Sequence, residues 1–548
     1  MTSRAAFALA AMALVALVAP GCVQQQRFRF VPATTACFPE TAEAAPIAGP
    51  PGQKPSLDCR RTQYKMAFIE FDEKGRMFDP RQEEAARKLL DFEKARAANG
   101  TVITVVYIHG WKNNAAGAEP GGKPKDVEKF QGALLELGYR AEQAARAANA
   151  PPVPIIGIYM AWRGKTLMGP SWVTFASLWS RRNTANNIGD GPDLAVILNQ
   201  IIDRTNAGND NSRVLLVGHS FGARVLEHAI ESGKATLYDA LPGDSFVRPR
   251  VDLVLYVNSA NDSRLAMGRV QELRAAKVRV HHPDFDPTEC SEPPDPAARI
   301  DLEARAGRCR DYPLLVAITS RGDSATKDLL PVANTINGDD LIPSLVDRLP
   351  PLPTTSAFAD PTPSASTVKK VAAGHFGFLQ SHVVREISCP VLRSSSERDQ
   401  AKTVDAAIDE AVRRAVAEAL GRAEDEAERR KREAAEAARR RAEERARFER
   451  AIHPVCAVND RNCRFVFRTL GDKPACYQVD QRQPVEGRPP FNDTPFWIMS
   501  VDPTVIKDHG DIWNVSFVEM LGQLMAPRGF FEPRASRVQL RTATTPSR

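Results

Sequence analysis

The apolar run Val214, Leu215, Leu216, Val217 leads directly into Gly218, His219, Ser220, Phe221 and Gly222, and the residues that follow have the composition of a helix. A strand that turns at once into a helix holds the middle residue of a GxSxG pentapeptide in strained backbone geometry, and glycines on either side leave room for that turn. Ser220 is therefore expected to stand clear of a sheet as a nucleophile. The pentapeptide alone also fits a Gly-rich turn with a solvated serine; the strand before it and the helix after it favour the nucleophile. A serine hydroxyl is a weak nucleophile at neutral pH, so Ser220 needs a base to take its proton and a carboxylate to orient that base.

The elements that must position these groups alternate along the chain. Residues 66–71, 101–108, 153–160, 213–217, 251–257, 314–319 and 496–501 read as strands, and 101–108 is an uninterrupted β-branched run of the kind buried on both faces of a parallel sheet. Residues 80–98, 126–148, 193–205, 223–232 and 515–525 repeat apolar side chains at helical spacing. This rhythm predicts an α/β fold with a doubly wound, mostly parallel sheet and a ligand crevice at the carboxyl ends of its strands. A chain of 548 residues exceeds one compact domain and predicts a large core with appendages.

These residues resemble the α/β-hydrolase superfamily over roughly 64–385 and again over 490–525, with the elbow 218–222 as the most specific motif. The resemblance implies the α/β-hydrolase fold and the chain order nucleophile, acid, histidine. It places the acid after a late strand at Asp323, with Asp262 as its rival, although either aspartate also suits a turn. Ala325 and Thr326 are similar to the acid loop of a group of bacterial serine hydrolases. For the oxyanion it implies the main-chain N–H groups of Phe221, after the nucleophile, and of Trp111, after the strand that ends in His109 and Gly110. Trp111 reads equally as a buried loop tryptophan, and Trp162, Arg163 and Gly164 are expected to line the same crevice.

Three histidines compete for the base. Residues 371–376 read as a strand ending in Gly374 and His375, and His382 lies one short loop beyond. Strand 496–501, the loop bearing His509 and the helix from 515 make a complete terminal unit, so His509 is preferred, with His375 and His382 as alternatives. The implied activity is cleavage of carboxylic esters through a Ser-His-Asp triad and an acyl-enzyme, by an esterase or lipase-like serine hydrolase that uses no metal or organic cofactor. The expected substrates are small acyl esters or ester-linked lipids, while peptidases and thioesterases use the same triad. The alternative class is a catalytically inactive hydrolase-fold scaffold or interaction protein of the envelope.

Arg4, the apolar run 5–18 and then Ala19, Pro20, Gly21 and Cys22 resemble a bacterial lipoprotein signal; an ordinary secretory signal with an incidental cysteine is the alternative. The resemblance implies cleavage before Cys22, lipid on its thiol and, with Val23 next, a membrane anchor at the outer membrane of the cell envelope. Residues 1–22 are thus a signal peptide, 23–62 a flexible tether and 63–400 the core, interrupted by a Pro/Ser/Thr-rich linker at 350–366. Residues 401–452 are expected to form a charged helix insertion, 453–530 a cysteine-containing segment with the last strand and helix of the core, and 531–548 a disordered tail. Without Cys22, eight cysteines remain, an even number that suits a disulfide framework, with Cys37 to Cys59 and Cys290 to Cys309 as local pairs. The charged helix reads as a solvated spacer, with a protein partner as its other role. The net charge of +6 is spread through interleaved acidic residues and argues against nucleic-acid binding.

Overall fold

A computed structural model describes residues 28–29, 64–117, 125–147, 150–164, 171–208, 212–240, 247–276, 278, 280, 313–330, 371–377, 379–387, 466–468, 476–481 and 494–525. Cys22, the signal, most of the tether, the linker, the charged helix and the tail lie outside the described residues, as do all the cysteines except Cys476, which is disulfide-bonded. The chain divides into two units, one of residues 1–383, 481–513 and 525–548, the other of 384–480 and 514–524.

In chain order the strands are β1 (Tyr64–Phe71), β2 (Ile103–Ile108), β3 (Ile155–Trp162), β4 (Arg213–His219), β5 (Tyr238–Ala240), β6 (Val247–Pro249), β7 (Leu253–Val257), β8 (Leu315–Ser320), β9 (His382–Ile387), β10 (Val466–Arg468), β11 (Cys476–Gln481) and β12 (Phe496–Val501). The helices are α1 (Pro80–Arg96), α2 (Asp126–Ala147), α3 (Ser171–Gly189), α4 (Pro192–Asn206), α5 (Phe221–Glu231), α6 (Ser263–Ala275) and α7 (Val515–Met525).

Seven strands form one sheet in the order β1, β3, β2, β4, β7, β8, β12, with every neighbouring pair parallel. Strands β2, β3, β4, β7 and β8 are buried at every residue, which explains why their sequences run apolar without alternating. On one face Ile69, Ile108, Ile158, Leu216 and Tyr256 join a core with Leu90 of α1, Ile188 of α3, Leu198 of α4, Val225 of α5 and Val270 of α6. On the other face α2 lies against the sheet. Tyr107 stacks on Phe130 with ring centroids 5.0 Å apart, and Leu134 occupies the space that a Cβ at Gly157 would need. Asp126 at the start of α2 accepts from the hydroxyls of Tyr107 (3.1 Å) and Tyr159 (2.9 Å), and burial pushes its carboxyl up to about 6.

Several expectations are corrected. Residues 371–376 are not a strand: Ala372 makes a single bridge to Asp262, and Ala373–His375 is a 3-10 turn in which Gly374 packs so closely on Thr319 that no Cβ would fit. Helices α3 and α6 were not expected; α3 mixes Trp, Phe, Ser, Arg and Asn with no apolar stripe, so it lacks the periodic signal of an amphipathic helix. Part of the expected tether is docked. The N–H groups of Phe28 and Arg29 donate to the two oxygens of buried Glu70 at 2.8 and 2.9 Å, and the Arg29 guanidinium lies over the Phe68 ring.

The second unit carries a sheet in the order β10, β11, β9, and it includes residues 514–524 of α7, whereas the loop bearing His509 belongs to the first unit. Among the described residues no helix is long and apolar enough to cross a membrane.

Leu134 is fully buried between α2 and the sheet. Leu134→Ala should lower the unfolding free energy of the first unit by about 2–5 kcal/mol, read as a lower midpoint in urea, because the rigid sheet cannot collapse into the vacated space.

Candidate active site

Ser220 ends the middle strand of the sheet and begins α5 with φ 56° and ψ −121°, a conformation that costs a non-glycine residue about 1–3 kcal/mol. Its surroundings hold it there. The Ser220 N–H donates to Val257 O at 3.0 Å, and the Ser220 carbonyl accepts from Ala260 and Arg224 at 3.1 and 3.2 Å. The flanking glycines serve close approach. A Cβ at Gly218 would sit 2.5 Å from Ala223 Cα, and one at Gly222 would overlap the carbonyl of Ile108, so the turn is wedged against the end of β2.

Three side chains from three loops then fall into line. Ser220 Oγ lies 2.7 Å from His509 Nε2, and His509 Nδ1 lies 2.9 Å from both Asp323 Oδ1 and Asp323 Oδ2. A carboxylate only accepts, so His509 carries its proton on Nδ1, and its bare Nε2 accepts from the Ser220 hydroxyl. Asp323 is fully buried and also accepts from the N–H groups of Ala325 (2.9 Å) and Thr326 (3.2 Å) and from Thr326 Oγ1 (2.5 Å). Burial favours its neutral form most strongly, yet the bond to and charge of His509, together with the Thr326 donors, outweigh burial and hold the carboxyl below its ordinary value. Asp262, the rival acid, caps α6 instead: it accepts from Arg264 N at 3.1 Å and pairs with the Arg264 guanidinium at 2.8 Å.

His509 follows the edge strand β12, three strands away from β4, so its loop must run back across the strand ends. Each strand it crosses catches its main chain. Ser320 of β8 donates from Oγ to Ile506 O at 2.5 Å. Asn258, just after β7, donates from Nδ2 to Asp508 O (3.3 Å) and His509 O (3.2 Å), and its Oδ1 accepts from Ser320 N. His219 of β4 places Nε2 2.7 Å from His509 O, and because a carbonyl only accepts, Nε2 bears the proton. Gly322 passes so close to Lys507 O that a Cβ would clash. The sequence reading missed Asn258 and Ser320 altogether; the polar residues that terminate buried apolar strands were the signal available.

The remaining candidates fall in three places. Phe221 and Trp111 line a pocket together with Ser220, His509, Leu178, Arg182, Ala260, Ala325, Thr326 and Leu330. Among the described residues neither the Phe221 nor the Trp111 main-chain N–H has a hydrogen-bond partner. Trp162, Arg163 and Gly164 do not line this pocket; Trp162 and Gly164 brace the Trp111 loop, with Trp162 Nε1 donating to His109 O at 2.9 Å, Lys112 N to Gly164 O at 3.0 Å and Gly164 N to Asn113 O at 3.0 Å, while Arg163 O accepts from Arg181 at 2.9 Å. His375 lies behind the acid, with Nε2 3.1 Å from Thr326 Oγ1. His382 opens β9, bonds to Ser381 and stacks on Trp497 at 3.9 Å. Among the described residues no group of three or more His, Cys, Asp or Glu is placed to hold a metal ion.

Burial sets the charge states around the line. His219 is pushed down to about 3 by burial and by neighbouring His509, and His109, which accepts from Trp162 N at Nε2, is pushed down to about 4 by burial. On α5 the buried Glu227 is pushed up to about 8 by burial and accepts from the Asn261 amide, whose oxygen in turn accepts from Arg224 at 2.6 Å.

A histidine whose folded pKa lies below its unfolded value contributes stability that is complete above about 6.5 and is lost as pH falls toward the folded value. For His219 that window runs from about 6.5 down to about 3. His219→Gln, which keeps an N–H toward His509 O, should remove about 2 kcal/mol of the acid sensitivity between pH 7 and 5, read as a flatter melting temperature against pH than in the unaltered protein. An unchanged slope would show that His219 is already charged when folded. The chain matches no protein-family model, and no curated protein and no solved structure is significantly similar to it.

Proposed function

We propose that this chain is a serine hydrolase of the α/β-hydrolase superfamily that cleaves carboxylic esters through Ser220, His509 and Asp323. The observation that carries the reading is the unbroken hydrogen-bonded line from the Ser220 hydroxyl through both ring nitrogens of His509 to a buried carboxylate. The fold supports it: an all-parallel sheet, a strained strand-to-helix turn on the middle strand, the acid after β8 and the histidine after the last strand.

In the mechanism, His509 Nε2 takes the Ser220 proton as Oγ attacks the ester carbonyl carbon. Asp323 keeps the proton of Nδ1 in place and stabilises the imidazolium that forms. The carbonyl oxygen, now an oxyanion, accepts from the Phe221 and Trp111 N–H groups, each worth on the order of 3 kcal/mol to the transition state. The imidazolium returns its proton to the departing alkoxide, leaving Ser220 acylated. Water then loses a proton to His509 and attacks the acyl carbon, and as the bond to Ser220 Oγ breaks the imidazolium returns that proton to Oγ, releasing the acid and restoring the hydroxyl.

The lipoprotein-like N-terminus supports acylation of Cys22 and a place at the outer membrane, with small acyl esters or ester-linked lipids as substrates. The side chains of Trp111, Leu178, Phe221, Ala260, Ala325 and Leu330 suit the hydrocarbon part of such an ester. The interleaved acidic and basic composition of residues 401–452 suits a protein partner.

A fluorophosphonate probe should label the folded protein, and Ser220→Ala should abolish the labelling; folded protein that takes no label would instead favour an inactive scaffold. On a p-nitrophenyl ester, Ser220→Ala and His509→Ala should each lower kcat by about 10³- to 10⁶-fold, and Asp323→Asn by about 10⁴-fold through the wrong tautomer of His509. Near-normal turnover in His509→Ala would remove it as the base.

A further inference from the structure

Asp323 has a partner on the side away from His509, and that partner has one of its own. Thr326 Oγ1 lies 2.5 Å from Asp323 Oδ2, and His375 Nε2 lies 3.1 Å from Thr326 Oγ1. A hydroxyl has one proton, and a carboxylate can only accept, so the Thr326 proton points at Asp323. The Thr326 oxygen must then accept from His375, which fixes His375 with its proton on Nε2. Five side chains thus form one directed chain, running from His375 through Thr326 to Asp323 on one side and from Ser220 through His509 to Asp323 on the other.

We propose that His375 is a positioning residue that acts through Thr326: by donating to the Thr326 oxygen it holds the Thr326 proton on Asp323 and so keeps the carboxylate squared to His509. This rests on the reading of Ser220, His509 and Asp323 as a catalytic triad. A threonine in a helical turn has another acceptor for its hydroxyl, the carbonyl three or four residues earlier, and Thr326 lies in the π-helical turn Ala325–Leu329. Thr326 is 1% exposed, so bulk water does not set the direction of its hydroxyl. The donor from His375 does.

His375 is itself held where this requires. Its N–H donates to Ala372 O at 3.0 Å within the 3-10 turn, and Ala372 bridges to Asp262. Gly374 presses on Thr319 of β8, the strand that leads into Asp323, and Gln380 Nε2 donates to Gly374 O at 2.8 Å. His375 and the acid are therefore fixed to the same strand, and their spacing cannot drift independently.

The test is a double-mutant cycle on a p-nitrophenyl ester with the full chain, each variant first checked for folding by circular dichroism and thermal melting. His375→Phe should lower kcat about fivefold with KM unchanged, the loss appropriate to one hydrogen bond in a charged network. His375→Gln, whose amide extends an N–H to a similar distance, should recover most of that loss, whereas the shorter His375→Asn should not. In a Thr326→Val background, His375→Phe should have no further effect. An equal loss from His375→Phe with and without Thr326, or a loss that appears in KM alone, would overturn the proposal, and so would unchanged kcat in His375→Phe. Should His375→Phe not fold, the Gln and Asn pair decides between the same outcomes. Failure of the triad reading is separate, since turnover would then survive Ser220→Ala in the unaltered background.

Discussion

The rest of the site depends on bringing an imidazole back across three strands. Neighbouring strands lie about 4.8 Å apart, so the end of β12 is roughly 14 Å from the end of β4, farther than a histidine side chain can reach. The main chain must make the journey, and main chain at a sheet edge has polar groups that need partners. Both needs are met together: Ser320, Asn258 and His219, one from the end of each strand crossed, donate to the carbonyls of residues 506, 508 and 509. Because the captured atoms are carbonyls, the capture does not draw on the side chains of residues 506 and 508. The specificity lies in the three donors.

Burial makes those donors reliable. A charged His219 would stand beside His509, whose ring centroid is 5.0 Å away, and a like charge there would oppose the proton transfer to His509 in the proposed mechanism. Full burial keeps His219 neutral, so it serves as a donor without imposing a charge. The same logic places neutral His109 between β2 and β3: it donates from Nδ1 to Gly110 O and accepts from Trp162 N at Nε2, tying the loop that follows β2 to its neighbour. The charge beside these histidines, on Asp323, is surrounded by donors from His509, Ala325 and Thr326.

What could be read from the sequence was what local pattern encodes. The strands β2, β4 and β8 were legible because burial on both faces demands unbroken apolar runs, and the turn at Ser220 because only glycine fits at 218 and 222. The acid position after β8 followed from the chain order of the family resembled, and Asp262 could be separated from it only by seeing the Arg264 N–H that it caps. Histidine was harder, because His375 and His509 each adjoin a glycine in a loop near a strand-like run, and their roles diverge through contacts far apart in the chain. Residues 371–376 imitate a strand in composition, yet their place is taken by β12, and no local signal distinguishes the two. Asn258 carries no motif at all. Its backbone sits at φ 47°, and it matters because two loops happen to meet over β7.

The proposed oxyanion loop is held as firmly as the base, and by different means. Gly110 approaches the nucleophile so closely that a Cβ would lie 2.7 Å from Ser220 Cβ, which leaves the loop after it no freedom to move inward. Outward movement is opposed by the bonds of Lys112 and Asn113 to Gly164, and farther along by Arg29, whose Nε donates to Ala115 O at 3.0 Å. Donors fixed before the substrate arrives need no reorganisation when charge develops, which is where most of the benefit of such N–H groups lies. Residue 29 thus reaches the same loop: Arg29, whose N–H donates to Glu70 and whose guanidinium lies over Phe68, also steadies the loop beyond Trp111.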